Sequence, residues 1–456
     1  MHKSNQIDMT TGKILPKLLA FAIPLMLTGI LQLLYNAADI IVVGRFAGEQ
    51  CLAAVGATST INTLFTTVFI GLSVGTSAIA ARCFGSRDYE GFSKVMHTAV
   101  ALGFIIGIGS FILGQFSLTS FLTITKTPSD IINLSELYMR IIFIGTPAQI
   151  LYNYGASILR SIGNTRTPLL ILSFAGILNV ILNLILVIAF DMHVAGVAIA
   201  TIFSQYISAI LVLIILAKLD GLPKFEFKKI KVHKEYISPI LKIGIPAAIN
   251  SSLFSISNML IQSAVNSYGY VVVAGNTVGH NIEAFIYACV ESFESTSLTF
   301  TSQNKGSRNL KRIKQGAITS IITVSVIGLF VGSIAYIFGK PLASIYTDSS
   351  EAINYAVFRL SIIAITYFLN GIMHAFTGVM RGLGHSTRPM LISIITICVL
   401  RFVFVLYIFP LVQSMPNHLG LALVYSTWPI SWLLTIICYT GLLVYFIKQE
   451  KKTIIA

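Results

Sequence analysis

The chain has 456 residues, of which 55% are hydrophobic and only 11% charged, with a mean hydropathy of +0.83. A soluble globular domain carries roughly a quarter charged residues, so water is not the solvent of most of this surface. The formal net charge of +14 must therefore be read by position before it signals any partner, and nucleic acid is not expected.

A helix needs about 20 apolar residues to cross a hydrocarbon core about 30 Å thick. Twelve such segments follow one another, at 16–43, 52–81, 97–122, 133–158, 168–190, 194–217, 238–266, 271–300, 316–338, 353–378, 389–411 and 420–447. Interior Pro24, Pro147 and Pro246 suit membrane helices, where neighbours re-satisfy the freed backbone groups, whereas a β-barrel would show short alternating strands. Lys3, Lys13 and Lys17 precede an apolar stretch that runs on through Asp39 without a small-residue cleavage site. It reads as a retained first helix rather than a signal peptide.

Polar residues inside the spans fall on helical faces. At 100° per residue, Thr28, Gln32, Tyr35, Asn36 and Asp39 lie within about 100° of one another on the first helix. Asp39 is the only acid in the first half's spans apart from Glu136 near a helix end, which makes it the expected carrier of a coupling proton or sodium ion. Asn179 and Asn183, one turn apart on the fifth helix, and Thr201 on the sixth offer the oxygens a hard cation requires. If the ion is Na+, Asp39, Asn179 and Asn183 are its expected ligands.

On the seventh helix Ser251, Ser255, Asn258, Gln262 and Asn266 align. On the eighth, His280, Glu283, Tyr287, Glu291 and Glu294 fall within about 80°, and on the tenth Asn370, His374, Thr377 and Arg381 align. Interhelical hydrogen bonding accounts for most single Ser, Asn and Gln residues. It accounts poorly for three glutamates on one stripe, because a charge at mid-membrane costs about 2.5–3.5 kcal/mol on insertion scales. The expected substrate cavity is therefore Gln32, Tyr35, Asn36, Asn258, Gln262, His280, Glu283, Tyr287, Glu291, Glu294 and His374, the glutamates attracting a cation and Tyr287 giving it an aromatic face. Glu294, nearer the cytoplasmic end, is the weaker candidate, since Lys305 or Arg308 could pair with it. Arg140, Arg359 and Arg401 read as snorkelling residues or partners of acids. The five cysteines, Cys51, Cys83, Cys289, Cys398 and Cys438, lack metal-ligand or redox spacing.

Charge sorts by membrane side: of 31 Lys and Arg, 25 lie on the side of the amino terminus, three on the other side and three within spans. The positive-inside rule makes both termini cytoplasmic. The halves also repeat. Gly85-Ser86-Arg87 recurs 221 residues later as Gly306-Ser307-Arg308; Arg160, Gly163 and Pro168 recur as Arg381, Gly384 and Pro389; Pro24 recurs as Pro246. Six spans per half make the repeats parallel, giving lobes at 1–217 and 238–456 joined by a basic cytoplasmic linker at 218–237.

With these residues in view the chain resembles the multidrug and toxic compound extrusion (MATE) family over nearly its whole length. The resemblance rests on Gln32-Leu33-Leu34-Tyr35-Asn36 leading to Asp39 and Val43-Gly44-Arg45, on Ala53-Ala54-Val55-Gly56, on Arg160-Ser161-Ile162-Gly163-Asn164-Thr165, and on Gln303-Asn304-Lys305-Gly306. It implies an all-α integral membrane protein with twelve transmembrane helices in two pseudo-symmetric six-helix lobes, V-shaped, acting as a secondary active antiporter that exports organic cations or amphipathic compounds in exchange for Na+ or H+. It also implies a first-lobe cation site at Asp39, Asn179, position 183 and Thr201; Asn183 stands where some relatives have Asp. A lipid-linked precursor or polysaccharide flippase of related architecture is the alternative. No His-Glu-x-x-His, Ser/His or P-loop pattern is present, so neither an enzyme nor a primary pump is expected, and no cofactor beyond the coupling ion. The expected partners are the small-molecule substrate and membrane lipid, the expected state a monomer, and the expected location the bacterial inner membrane.

Overall fold

A computed structural model describes residues 6–125, 127–413, 415 and 417–455, and every regular element among them is helical. Lys3 and Lys126, which enter the charge balance above, lie outside the described residues. The helices are α1 Ile14–Val42, α2 Glu49–Gly85, α3 Tyr89–Ile124, α4 Ser129–Ser161, α5 Arg166–Leu184, α6 His193–Ala217, α7 Lys234–Asn266, α8 Tyr270–Gly306, α9 Leu310–Ile337, the short α10 Gly339–Ser344, α11 Ser350–Ile363, α12 Tyr367–Gly382, α13 Thr387–Val412 and α14 Asn417–Ile455.

Among the described residues, nine of these helices are long and apolar enough to cross a membrane, and α11 with α12, bent by 49°, form a tenth such span. The remaining two long helices, α4 and α8, are more polar because they lie inside their bundles. α4 packs against α2, α3 and α6, and α8 against α9, α11 and α12, so many of their polar side chains, Glu283 and Asn276 among them, meet protein instead of lipid. Outward, large apolar side chains such as Leu113, Phe116, Ile337 and Leu411 stand exposed, as a bilayer requires and water would penalise. The chain is a multi-pass membrane protein.

Helices extend past the spans read from hydropathy, since hydropathy ends where charges begin and hydrogen bonding continues. The segment expected at 271–300 belongs to a helix running from Tyr270 to Gly306. The repeated Gly-Ser-Arg motif marks where α2 and α8 stop. Arg87 (φ 59°) and Arg308 (φ 55°) are left-handed, and the next residue caps the following helix: Asp88 Oδ1 accepts the Gly91 N–H at 2.8 Å, and Asn309 Oδ1 the Arg312 N–H at 3.0 Å. Continuity fails within 353–378. There the Thr366 hydroxyl donates to the carbonyls of Ile362 (3.1 Å) and Ile363 (2.9 Å), and the bend follows.

The chain divides into two compact units, unit 1 comprising Met1–Asp8 and Leu31–Gly244, and unit 2 comprising Met9–Ile30 and Ile245–Ala456. The division does not follow chain order, and glycines explain why. In unit 1, a Cβ on Gly75 of α2 would stand 2.0 Å from the Ile240 carbonyl oxygen, and one on Gly244 2.6 Å from that of Leu72, so the start of α7 is packed backbone to backbone on α2. In unit 2, Gly29 of α1 meets Ala288 of α8. The 218–237 segment is pinned to unit 1: Phe225 stacks on His97 of α3, and His97 Nε2 accepts the Glu226 N–H at 3.2 Å.

Candidate functional site

In unit 1, Tyr35 lies against Gly176 of α5, where a Cβ would stand 2.1 Å from the ring, and its hydroxyl donates to the Ser173 carbonyl at 3.1 Å. This contact sets α1 against α5. One turn further along α1, Asp39 Oδ1 accepts from Asn183 Nδ2 at 2.6 Å. The same nitrogen lies 3.4 Å from Asn179 Oδ1, and Asn179 Nδ2 lies 3.4 Å from Thr201 Oγ1. The four residues expected to act together thus form one polar chain across α1, α5 and α6. Asn183 is fully buried, and its Oδ1 has no hydrogen-bond partner, which leaves an acceptor beside a carboxylate.

Two local irregularities flank this chain. α1 continues through a π-helical turn at Val43–Ala47, and α5 through another at Ile185–Ala189. Such turns realign side chains and concentrate at functional sites. Apolar sequence gives no signal for them.

In unit 2 the α8 glutamates have different partners. Gly275 and Gly279 let α11 approach, and Arg359 grips Glu283 with both Nε and Nη2, each at 2.8 Å, while Nη1 donates to Asn276 Oδ1 at 2.7 Å. Tyr425 and Trp428 cover the guanidinium at 5.2 and 5.0 Å. Glu294 is held by Arg381 and by His374 Nδ1, the latter at 2.7 Å. Neither Lys305 nor Arg308 takes it; Lys305 pairs instead with Glu450 at 2.5 Å. Glu291 remains exposed, one turn from both Tyr287 and Glu294.

Among the other expected cavity residues, Gln262 joins Asn266 and Asn276 at 2.8 and 2.9 Å. Asn258 Oδ1 accepts from Arg401 Nη1 at 2.6 Å, and Tyr287 meets the His374 ring edge-on at 5.6 Å. Gln32, Asn36 and His280 are exposed. Arg359 and Arg401, read from the sequence only as snorkelling residues or partners of acids, are joined here by Asn276 and by Trp428 between the two guanidiniums, neither of which the sequence singled out. The available signal was stoichiometric: in-span arginines accompany in-span glutamates in the same half.

Residues 24–185 and 246–407 each match the sequence profile of the MatE family. The probable multidrug resistance protein YpnP of Bacillus subtilis is 30% identical over 399 residues, covering 87% of this chain and 89% of that protein. An FAD transporter of Shewanella oneidensis is 26% identical, covering 82% of each. Among solved structures, a multidrug resistance MATE family transporter of the MOP superfamily superposes with a TM-score of 0.89 at 22% identity, over 99% of this chain and 100% of the other. That likeness establishes the fold.

Proposed function

This chain belongs to the MatE family, and on that premise we propose that it is a secondary active exporter of multidrug type, moving organic cations or amphipathic compounds outward against an inward flow of Na+ or H+. The observation carrying this reading is the polar chain of the half-buried Asp39 and Thr201 with the buried Asn183 and Asn179, the orphaned Asn183 Oδ1 lying beside the carboxylate. One carboxylate among neutral oxygens balances a single positive charge, which suits a monovalent ion or a proton. A divalent ion would demand more acids, and no cluster of three His, Cys, Asp or Glu occurs among the described residues.

The relatives' names span multidrug resistance and FAD transport, so the cargo class rests on this chain's own residues. Glu291, exposed beside Tyr287, is the α8 acid without an arginine. A carboxylate next to an aromatic face suits a lipophilic cation. We place the chain in the inner membrane of a bacterium as a monomer with both termini cytoplasmic and with no cofactor other than the coupling ion.

The test is Asp39→Asn, which keeps shape and removes charge. In inverted vesicles without ATP, wild type should accumulate a labelled lipophilic cation under an imposed ion gradient, and the variant should bind it without accumulating it. Full gradient-driven accumulation by Asp39→Asn would refute the reading.

A further inference from the structure

Between α6 and α7 the chain does not loop away from unit 1. Phe225 donates its N–H to the Leu216 carbonyl in the last turn of α6 at 3.0 Å, and its ring stacks on His97 of α3 with centroids 5.4 Å apart. His97 Nε2 holds the Glu226 N–H, and further along the linker the His233 N–H donates to Thr98 Oγ1 at 3.1 Å. His97 and Thr98 lie about 12 Å along α3 from its first residue, Tyr89, at the level where that helix passes from polar to apolar sequence. That level is where hydrocarbon gives way to headgroups. We propose that the 218–237 linker is an interfacial surface of unit 1 that binds the anionic headgroups of surrounding phospholipids. It is separate from the Asp39 site, and it does not depend on what the chain transports.

The linker's charge is not neutralised within the protein. Residues 218–242 hold seven lysines and three acids. Two of those acids are already engaged, Glu226 with Lys229 at 2.7 Å and Glu235 with Lys94 at 3.8 Å. Lys224, Lys228, Lys231 and Lys234 are all exposed, and among the described residues none of them pairs with an acid. The two ties to α3, at 225–226 and at 233, hold the backbone between them against the bundle. Lys228 and Lys231 are therefore presented from a fixed segment and not from a free tether.

An aromatic side chain identifies the partner. Phe225 is 2% exposed, whereas Phe227, two residues on, is 63% exposed beside Lys228. A 3₁₀ turn at Phe227–Lys229 creates this pair, with the Phe227 ring meeting Phe225 edge-on at 4.9 Å. Water penalises an outward phenyl ring, but the membrane interface favours one flanked by lysines. The ring enters the acyl boundary, the lysine stems lie along apolar surface, and the ammonium groups stay among the phosphates. Lysine acts as a point charge and demands no particular headgroup shape. A zwitterionic headgroup carries a cation of its own beside the phosphate, so the preference falls on lipids with net negative charge. A soluble polyanion would reach this level of α3 only by displacing lipid.

Fluorescence of the full chain carrying Phe227→Trp tests the surface without reference to transport. The protein is placed in phosphatidylcholine vesicles containing a minor fraction of phosphatidylglycerol, with bromine on the acyl chains of one lipid or the other, and the emission of the native Trp428 and Trp432 is subtracted using the parent protein. Mole for mole, brominated phosphatidylglycerol should quench the indole at position 227 more than brominated phosphatidylcholine, by about fivefold for each lysine engaged. The preference should vanish at about 1 M salt, where the Debye length is about 3 Å. It should also vanish when Lys224→Gln, Lys228→Gln and Lys231→Gln are combined, with the melting temperature unchanged. Equal quenching by the two lipids, or a preference that survives both high salt and the triple substitution, would overturn the proposal. So would an indole that neither lipid quenches but whose emission shifts on addition of inorganic phosphate or an oligonucleotide, which would assign the lysines to a soluble anion.

Discussion

Arg359 and Glu283 have side chains only 3% and 1% exposed, so removing either alone strands a charge inside the bundle. A buried ion pair broken on one side costs about 3–5 kcal/mol, whereas replacing both partners by apolar residues of similar volume is often neutral or stabilising. Arg359→Met should accordingly lower the melting temperature in detergent, and Glu283→Leu combined with Arg359→Met should recover most of the loss. Equal destabilisation by the single and the double variant would mean that the pair is not what holds α8 to α11. Helical phase groups Glu283, Glu291 and Glu294 on one stripe of α8, but phase identifies a face and not its neighbours, and the three have different surroundings. Arg359 lies 76 residues further along the chain, and the periodicity of α8 holds no trace of it. Asp39 was more legible because it stood almost alone: an isolated acid among apolar spans must meet whatever oxygens the fifth and sixth helices supply.

At the scale of helices, glycines decide which backbones touch. Gly378→Ala would push a methyl into the Glu294 carbonyl oxygen, 2.2 Å away, a backbone atom that cannot rotate aside. The expected cost is about 1–3 kcal/mol, with separation of His374 and Arg381 from Glu294. Gly441→Ala has nothing within 4 Å of the new carbon and should leave thermal stability unchanged or slightly raised. Similar losses from both substitutions would contradict the packing described. The spans themselves were readable from hydropathy because lipid leaves few alternatives to a helix. The break at 364–366 was not, for it depends on a threonine hydroxyl capturing carbonyls of its own helix, and neither proline nor glycine marks the place.

For the molecule as a whole, the 221-residue punctuation has a structural meaning: in each half the same left-handed arginine follows the end of one helix, α2 or α8, and the Asp or Asn after it caps the start of the next. What the repeat did not disclose is that Met9–Ile30 belongs to unit 2 and Lys234–Gly244 to unit 1, because close glycine contacts and not chain order set the membership. Orientation can be checked with single cysteines in place of the exposed Lys229 and Lys340. From outside intact cells, a membrane-impermeant thiol reagent should reach position 340 and not position 229; the reverse pattern would invert the topology.

Antiport also works backwards, and this gives the most direct test of the proposed coupling. Purified protein in liposomes loaded with a lipophilic cation, diluted into cation-free buffer with no ion gradient imposed, should move protons or Na+ inward as the cargo leaves. Internal pH and tracer sodium report that movement. The account expects ion uptake linked to cargo release in wild type and its absence in Asp39→Asn. Cargo release by wild type with no accompanying ion movement, or unchanged ion movement in Asp39→Asn, would contradict it.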